Sequence, residues 1–212
     1  MPPEMSANTA ISGLYGIADA GASGGDPERM LEWLLMGGCR VVQFRCKAWS
    51  DDDALATARR MVTRCHQSGA VLLLNDRAHL VEAAAADGVH VGQDDGDSAS
   101  VRRLIGERRI MGRSTHSLAH VDRALATADY IAFGPIFPTG NLSTPKSAKG
   151  LRELRRVADA VGGRVPLVAI GGITLSNVDE IRSNGANAWA VIGAIAGAKD
   201  PIEQTRRFAK AT

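Results

Sequence analysis

Short apolar runs alternate with longer segments of helical period along this chain, and no other feature restricts the possible folds as strongly. The runs are rich in valine, isoleucine and leucine and have the length of strands. The predicted strands cover residues 13–19, 40–45, 71–75, 88–92, 110–115, 130–135, 166–172 and 188–195. The predicted helices cover residues 27–38, 50–69, 78–88, 98–109, 117–128, 149–163, 174–186 and 200–208.

These strands are apolar along their whole length, which is typical of a parallel sheet that helices cover on both faces. Eight successive strand–helix units predict an α/β protein with the TIM-barrel (β/α)8 fold. The main alternative, an open doubly wound sheet, has fewer strands and usually a Gly-x-Gly-x-x-Gly at its first turn, which this chain lacks. We therefore predict a single TIM-barrel domain over residues 1–212, in which residues 1–11 form a flexible N-terminal segment.

Composition and charge exclude several classes of partner. The formal net charge is only +2 and the basic residues are scattered, which gives no support for nucleic-acid binding. No apolar run approaches the about 20 residues that cross a bilayer, and the N-terminus lacks the regions of a signal peptide. The three cysteines have neither metal-ligand nor Cys-x-x-Cys spacing, which indicates free thiols. We expect a cytoplasmic protein that binds neither nucleic acid nor membranes.

Polar side chains collect at the carboxyl ends of the predicted strands, where TIM barrels carry their active sites. Gln43, Arg45 and Lys47 alternate at the end of the second strand, so all three face one side of an extended chain. The two cations could hold a phosphate or pyrophosphate. A solvated strand end is the more frequent explanation for such a pair on its own, because charged residues are common at protein surfaces.

Two carboxylates, Asp76 and Asp95, follow successive strands and could supply the oxygen ligands of a Mg²⁺ ion beside a polyanion. Taken singly, each is more often a helix cap or a turn residue. Asn75 could donate its amide to a phosphate or close a turn.

Glycines mark the last two strand-to-helix turns, at residues 171–172 and 193. Phosphate often binds at these turns in TIM barrels, although a glycine can also serve only to permit the turn. The loop between residues 134 and 151 is long and rich in hydroxyl groups, which suits an anion. The sequence therefore predicts a second anion pocket beside the first.

Six runs of this sequence resemble the thiamine phosphate synthase family, also called thiamine phosphate pyrophosphorylases, whose close relatives are the thiazole tautomerases. They are LYGIAD, VVQFRCK, LLLNDRAHLVEAAAADGVHVGQDD, GRSTHS, DYIAFGPIFPT and GLRELRRVADAVGGRVPLVAIGGITLSNVDEIRSNGANAWAVIGAI, in order over roughly residues 13–195. The resemblance implies a TIM-barrel transferase that joins hydroxymethylpyrimidine pyrophosphate to a thiazole or carboxythiazole phosphate and releases pyrophosphate, with Mg²⁺. A homodimer is an expectation from the same resemblance.

The resemblance also implies roles for individual residues. The contacts to the pyrimidine pyrophosphate match Gln43, Arg45, Lys47 and Asn75. The Mg²⁺ ligands match Asp76 and Asp95, and the hydroxyl between the two substrates matches Ser114. The thiazole-phosphate side matches Thr139, Gly172, Ile192 and Gly193. We expect Arg45, Lys47 and Ser114 to be catalytic by positioning and by stabilising the leaving group, with no protein nucleophile.

The loop after Thr139 departs from the family pattern, in which a second threonine and a lysine follow. This chain has Asn141 and Leu142 there, so one expected cation is missing. We expect Asn141 to keep a hydrogen bond to substrate and Lys146 to replace the lysine, with Lys149 as a weaker candidate.

The sequence also allows two other functions. The run GRSTHS is reminiscent of the thiazole tautomerases, in which His116 would act as the acid or base. A histidine that caps or packs under the following helix is an equally good interpretation. A paralogue that binds thiazole or pyrimidine phosphates without turnover is the third possibility, and retention of both cations and both carboxylates argues against it.

Overall fold

The computed structural model describes residues 11–93, 96–139 and 147–211 of the chain. Its strands are β1 (Gly13–Asp19), β2 (Val41–Arg45), β3 (Val71–Asn75), β4 (Gly88–Val91), β5 (Ile110–Thr115), β6 (Tyr130–Phe133), β7 (Leu167–Ile170) and β8 (Ala188–Val191). Its helices are α1 (Pro27–Met36), α2 (Asp51–Gln67), α3 (Val81–Ala84), α4 (Ser98–Ile105), α5 (Leu118–Ala124), α6 (Gly150–Val161), α7 (Val178–Ser183), α8 (Gly193–Ala196) and α9 (Pro201–Lys210). A single 3-10 turn, Ala78–Leu80, precedes α3.

The strands form a closed barrel in the order β1 to β8, and each pairs in parallel with the next until β8 pairs with β1. This arrangement confirms the predicted TIM barrel. Parallel strands start and end at the same edges of a sheet, so all the strands end on one rim. The sequence predicted that polar residues collect at this rim.

Four strands, β4, β6, β7 and β8, end one to four residues earlier than the apolar pattern predicts. β6 stops at Phe133 rather than at Pro135, since proline has no N–H to donate to a strand ladder. The predicted last strand, residues 188–195, was wrong in its second half: β8 ends at Val191, and α8 begins at Gly193. Its sequence is apolar throughout, so periodicity cannot distinguish a buried strand from a short buried helix.

The core has two concentric parts. One cluster fills the barrel and includes Tyr15, Leu73, Tyr130 and Val168. The other lies between the barrel and the helices, where α1 buries Met30, Leu31 and Leu34. Successive residues of each strand therefore face the barrel interior and the surrounding helices in turn. The same alternation continues to the carboxyl ends of the strands. It decides which side chains there face the site.

Three side chains clamp neighbouring strands at the amino-terminal rim. Asp87, Asp129 and Asn187 each stand immediately before β4, β6 or β8, and each accepts a backbone N–H from the preceding strand. The Met111 N–H donates to the Asp129 carboxylate at 2.7 Å, and the Arg102 guanidinium donates to it at 2.7 Å as well. These contacts stabilise the end of the barrel opposite the site.

Several other predictions concern the chain as a whole. The predicted flexible segment falls outside the described residues except for Ile11, which is buried. Within the described residues, no helix combines the length and the apolar character that crossing a membrane requires. Cys39, Cys46 and Cys65 are free, as predicted, and all three are buried. Burial raises the pKa of their thiols above the ordinary 9.0, to about 11 for Cys39.

Candidate active site

Two adjoining cavities open at the carboxyl-terminal rim of the barrel. The first, which we call the cation-lined cavity, has a volume of about 490 Å³ and is lined by Gln43, Arg45, Lys47, Asn75, Asp76, Ser114 and other residues. The second, the glycine-lined cavity, has a volume of about 390 Å³ and is lined by Gly171, Gly172, Gly193 and their neighbours. Thr139, Ile170, Gly171 and Ile192 line both and form their common wall.

Arg45 is the last residue of β2 and lies beside Asp19, the last residue of β1. The Arg45 guanidinium forms a salt bridge with the Asp19 carboxylate, and their side chains are 28% and 9% exposed. Ala22 N–H donates to the other Asp19 oxygen at 2.7 Å. Arg45 is thus held in a fixed direction at the mouth of the barrel, as the two strands bring the pair together.

Lys47 follows two residues later, and its side chain is 62% exposed. Its Nζ lies 3.6 Å from Oδ2 of Asp76, and the Asn75 amide donates to the same oxygen at 2.5 Å. Both cations line the first cavity together with Gln43, as the alternation in the sequence predicted. The carboxylate that balances the second cation thus comes from the residue directly after β3.

Asp76 adopts a left-handed backbone conformation, with φ of 64°, which is uncommon for a residue with a side chain. Its N–H donates to the His90 carbonyl at 2.8 Å, which ties the end of β3 to β4. Among the described residues that line the cation-lined cavity, Asp76 is the one carboxylate. Its predicted partner, Asp95, lies outside the described residues.

The donor set suits Mg²⁺ better than a transition metal. Proteins hold Mg²⁺ with one or two carboxylates and leave its remaining positions to water and phosphate oxygens. Asp76 offers such an oxygen, and its side chain is 25% exposed. The described part of the chain contains no group of three or more histidine, cysteine or carboxylate side chains that could hold a metal by themselves.

A continuous row of polar side chains crosses the interior of the barrel. Gln43 donates to the Tyr15 hydroxyl, which bonds the Tyr130 hydroxyl at 2.7 Å. Tyr130 bonds Nδ1 of His90, and Nε2 of His90 bonds the Ser114 hydroxyl, each at 2.8 Å. Sequence reasoning singled out the two ends of this row but missed its middle. The signal that could have found it is strand parity: His90 and Tyr15 stand at inward positions of β4 and β1.

Burial controls the chemistry of the two phenols. Both tyrosines are at most 2% exposed, and burial raises the pKa of Tyr15 above its ordinary 10 and that of Tyr130 well above it. Their hydroxyl groups therefore keep their protons at neutral pH. They serve as hydrogen-bond donors and acceptors, not as bases.

The glycine-lined cavity depends on two backbone positions that favour glycine. Gly171 and Gly172 have φ of 99° and 65°. A Cβ at Gly172 would lie 2.6 Å from the Pro138 carbonyl oxygen and 2.7 Å from Phe137 Cβ. The turn after β7 therefore packs against the loop after β6, and Gly193 opens α8 across the same cavity. Short turns of this kind expose backbone N–H groups that can bind a phosphate.

His116 lines the cation-lined cavity, and its Nδ1 lies 2.7 Å from the Gly134 carbonyl oxygen. Because a carbonyl only accepts, Nδ1 carries a proton. Of the remaining predicted residues, Thr139 lies in the common wall of the cavities. Asn141, Leu142 and Lys146 lie outside the described residues.

Comparison with known proteins identifies the family. The family model described as thiamine monophosphate synthase matches residues 14–195. The chain belongs to this family. The match covers every strand of the barrel except the first residue of β1, and it confirms the resemblance that the sequence motifs indicated.

Individual members of the family match over most of their length. The thiamine-phosphate synthase of Chlorobium luteolum (strain DSM 273 / BCRC 81028 / 2530) is 41% identical over 85% of this chain and 84% of that protein. The thiamine-phosphate synthase of Acidothermus cellulolyticus (strain ATCC 43068 / DSM 8971 / 11B) is 38% identical, with 97% of each chain covered. Some relatives are longer: the chain spans 54% of the one from Synechococcus sp. (strain WH7803). The solved thiamine phosphate pyrophosphorylase of Pyrococcus furiosus superposes with a TM-score of 0.85 at 30% identity, with 96% of each chain covered.

Proposed function

We propose that this protein is a thiamine phosphate synthase, a transferase that condenses hydroxymethylpyrimidine pyrophosphate with a thiazole phosphate to give thiamine phosphate and pyrophosphate. The observation that carries this proposal is the pair of cavities, one lined by cations and one by glycine turns, which share a wall. Such a pair suits two phosphorylated substrates whose reacting atoms must meet. The many relatives named thiamine-phosphate synthase support the same assignment.

The chemistry needs no protein nucleophile. The bond between the pyrimidine methylene carbon and the pyrophosphate oxygen breaks, and its electron pair leaves with the oxygen. The cation that remains is shared with the aminopyrimidine ring, and the lone pair of the thiazole nitrogen then forms the new carbon–nitrogen bond. Catalysis consists of stabilising the leaving charge and holding the two rings in line.

In this proposal Arg45 and Lys47 neutralise the departing pyrophosphate, and Asn75 donates to it. Gln43 and Ser114 hold the pyrimidine ring from the inner side of the cavity. The arginine fork is well suited to this task, because its pair with Asp19 fixes its direction before substrate arrives. A preoriented donor loses little entropy when the anion binds.

Asp76, together with Asp95, would hold a Mg²⁺ ion that neutralises part of the pyrophosphate charge when bound. Asp76 is close to Lys47, so the ion that Asp76 would hold and the Lys47 ammonium would neutralise the same pyrophosphate. On the other side, the turns at Gly172, Ile192 and Gly193 would bind the thiazole phosphate through backbone N–H groups. Thr139 in the common wall would touch both substrates.

Asn141 would hydrogen-bond the thiazole phosphate, and Lys146 would supply the cation that Leu142 cannot. Lys149, whose N–H donates to the Pro135 carbonyl at 2.8 Å, is the weaker candidate for that role. We also infer a single-domain protein that works in the cytoplasm, and a homodimer by analogy with the family.

The proposal is tested by incubating the purified protein with both phosphorylated substrates and Mg²⁺ and by measuring thiamine phosphate and released pyrophosphate. Equal amounts of the two products are expected. Conversion of a carboxythiazole phosphate without any pyrimidine substrate would support a tautomerase instead, with His116 as its acid or base. Tight pyrophosphate binding without turnover of either thiazole would indicate a paralogue that only binds.

The loop has a test of its own. Leu142→Lys restores the cation that the family pattern contains at this position. A large gain in the rate of thiamine phosphate formation would show that the natural loop lacks a cation. An unchanged rate in Leu142→Lys, followed by a large loss in Lys146→Met, would show that Lys146 already supplies it.

A further inference from the structure

Five polar side chains from five strands form an unbroken row of hydrogen bonds inside the barrel. From Gln43 through Tyr15, Tyr130 and His90 to Ser114, the successive distances are 3.0, 2.7, 2.8 and 2.8 Å. Gln43 and Ser114, at the two ends, line the cation-lined cavity, as does His90. The two tyrosines belong to the core of the barrel.

We propose that this row is a directional relay that decides which hydrogen-bonding groups Gln43 and Ser114 present to the ring in the cation-lined cavity. Tyr130 and His90 are its positioning residues: they act on the ring through Ser114. Only the identity of the ring rests on the proposed function. The direction of the relay follows from the hydrogen-bond distances together with a proton count in which His90 is a neutral imidazole.

The direction is fixed by counting protons. Each phenol has one proton to donate. Because the Gln43 amide donates to Tyr15, the Tyr15 proton goes to Tyr130, and the Tyr130 proton goes to Nδ1 of His90. His90 then carries its own proton on Nε2 and donates it to the Ser114 oxygen. The Ser114 proton is left for a partner in the cavity.

Two features of the barrel keep this arrangement in place. The buried phenols hold their protons, since burial raises the pKa of both, so neither becomes a phenolate that would interrupt the row. Gly112 on β5 gives the Tyr130 ring its space, because a Cβ there would overlap Cζ and the hydroxyl oxygen of Tyr130. The strand therefore carries a glycine at the point where the phenol crosses the barrel.

The relay predicts a specific pattern in the ligand. The Ser114 hydroxyl donates a proton, and the side-chain amide oxygen of Gln43 accepts one. The cavity therefore matches a ring that has an acceptor nitrogen and an amino group. An aminopyrimidine has this pattern. A pyrimidine with an oxo group in place of the amine, and a proton on the adjacent ring nitrogen, has the reverse pattern and is disfavoured.

Two tyrosine-to-phenylalanine substitutions test the hydrogen bonds of the relay one at a time. Tyr130→Phe removes the hydroxyl that donates to His90, so the proton of His90 is no longer confined to Nε2. Tyr15→Phe removes the partner of Gln43 but leaves Tyr130 donating to His90. The ¹⁵N spectrum of the labelled protein reports the tautomer of His90 directly, without any substrate. We expect the Nε2–H form in the unmodified protein and in Tyr15→Phe, and a mixture in Tyr130→Phe.

Ligand selection is measured on the same variants. Tyr130→Phe should raise KM for the pyrimidine pyrophosphate about tenfold, as expected from one weakened hydrogen bond. It should also reduce the preference for the amino over the oxo pyrimidine, while affinity for inorganic pyrophosphate stays unchanged. Thr115→Val is the matched control: it removes a buried hydroxyl that donates to the Ala132 carbonyl, outside the relay. It should change none of these values.

An unchanged His90 tautomer in Tyr130→Phe would overturn the relay, as would an equal loss of affinity for inorganic pyrophosphate. A different set of results would contradict the proposed function and leave the relay in place. In that case the unmodified protein forms no thiamine phosphate, while the tautomer still responds to Tyr130→Phe but not to Tyr15→Phe.

Discussion

Arg45→Met tests whether the two cations of the site, which share one proposed task, differ in what they do for the fold. Methionine keeps most of the length of the arginine stem and removes the charge. Arg45 pairs with Asp19, which is 6% exposed as a residue, whereas Lys47 has a side chain that is 62% exposed. We expect both substitutions to weaken pyrophosphate binding, but only Arg45→Met to destabilise the protein.

The magnitudes follow from burial. Removing one partner of a fully buried ion pair costs about 3–5 kcal/mol. Because the Arg45 side chain is 28% exposed, we expect a smaller loss, about 1–3 kcal/mol. At about 2–4 °C per kcal/mol for a chain of this length, Tm should fall by about 2–12 °C. Lys47→Met should change the free energy of unfolding by less than about 1 kcal/mol, as is usual for exposed pairs.

Both variants should bind inorganic pyrophosphate about 10- to 100-fold more weakly in calorimetry, since a hydrogen bond to a charged group contributes about 1.5–3 kcal/mol. Thermal unfolding of the same samples measures stability. The double variant Asp19→Asn with Arg45→Met separates the two effects, because it leaves no unpaired carboxylate and keeps an oxygen for Ala22 N–H. Its Tm should recover and its pyrophosphate affinity should not. A double variant as unstable as Arg45→Met, or destabilisation by Lys47→Met of the same size, would refute the reasoning.

Three further predictions concern other parts of the barrel. Asp129→Ala leaves the Met111 N–H without its acceptor and should lower the free energy of unfolding by about 1–3 kcal/mol in urea titrations; Asp129→Asn, which keeps an acceptor oxygen, should lose less. Stability should hold below about pH 10 and fall as pH rises further, because the phenols of Tyr15 and Tyr130 ionise more readily in the unfolded chain than in the fold; replacing both by Phe should flatten that fall. Gly172→Ala, at φ of 65°, should weaken binding of thiazole phosphate more than binding of pyrophosphate, and equal effects on the two ligands would contradict separate pockets.

Much of the site followed from local patterns. Strand alternation predicted that Arg45 and Lys47 share a side, and both line one cavity, although β2 ends at Arg45 and Lys47 stands in the turn that follows. Asp76 was placed at a strand end by its position after an apolar run. What such patterns cannot supply is the contact of Arg45 with Asp19, since that contact depends on the register between β1 and β2. The early end of β8 was missed for a related reason, because an apolar run has no periodicity that separates strand from helix.

The sequence by itself determined the barrel and the rim on which its polar residues lie. Eight apolar runs separated by amphipathic helices leave few other ways to bury their surface, and parallel strands must end together. Only the tertiary structure decided which polar side chains hydrogen-bond one another inside the barrel. Tyr15 and Tyr130 are 115 positions apart, and their hydroxyls meet because barrel closure places β1 and β6 across one core. No local pattern encodes a hydrogen bond across a closed barrel, since it depends on the strand stagger and on the space that Gly112 leaves.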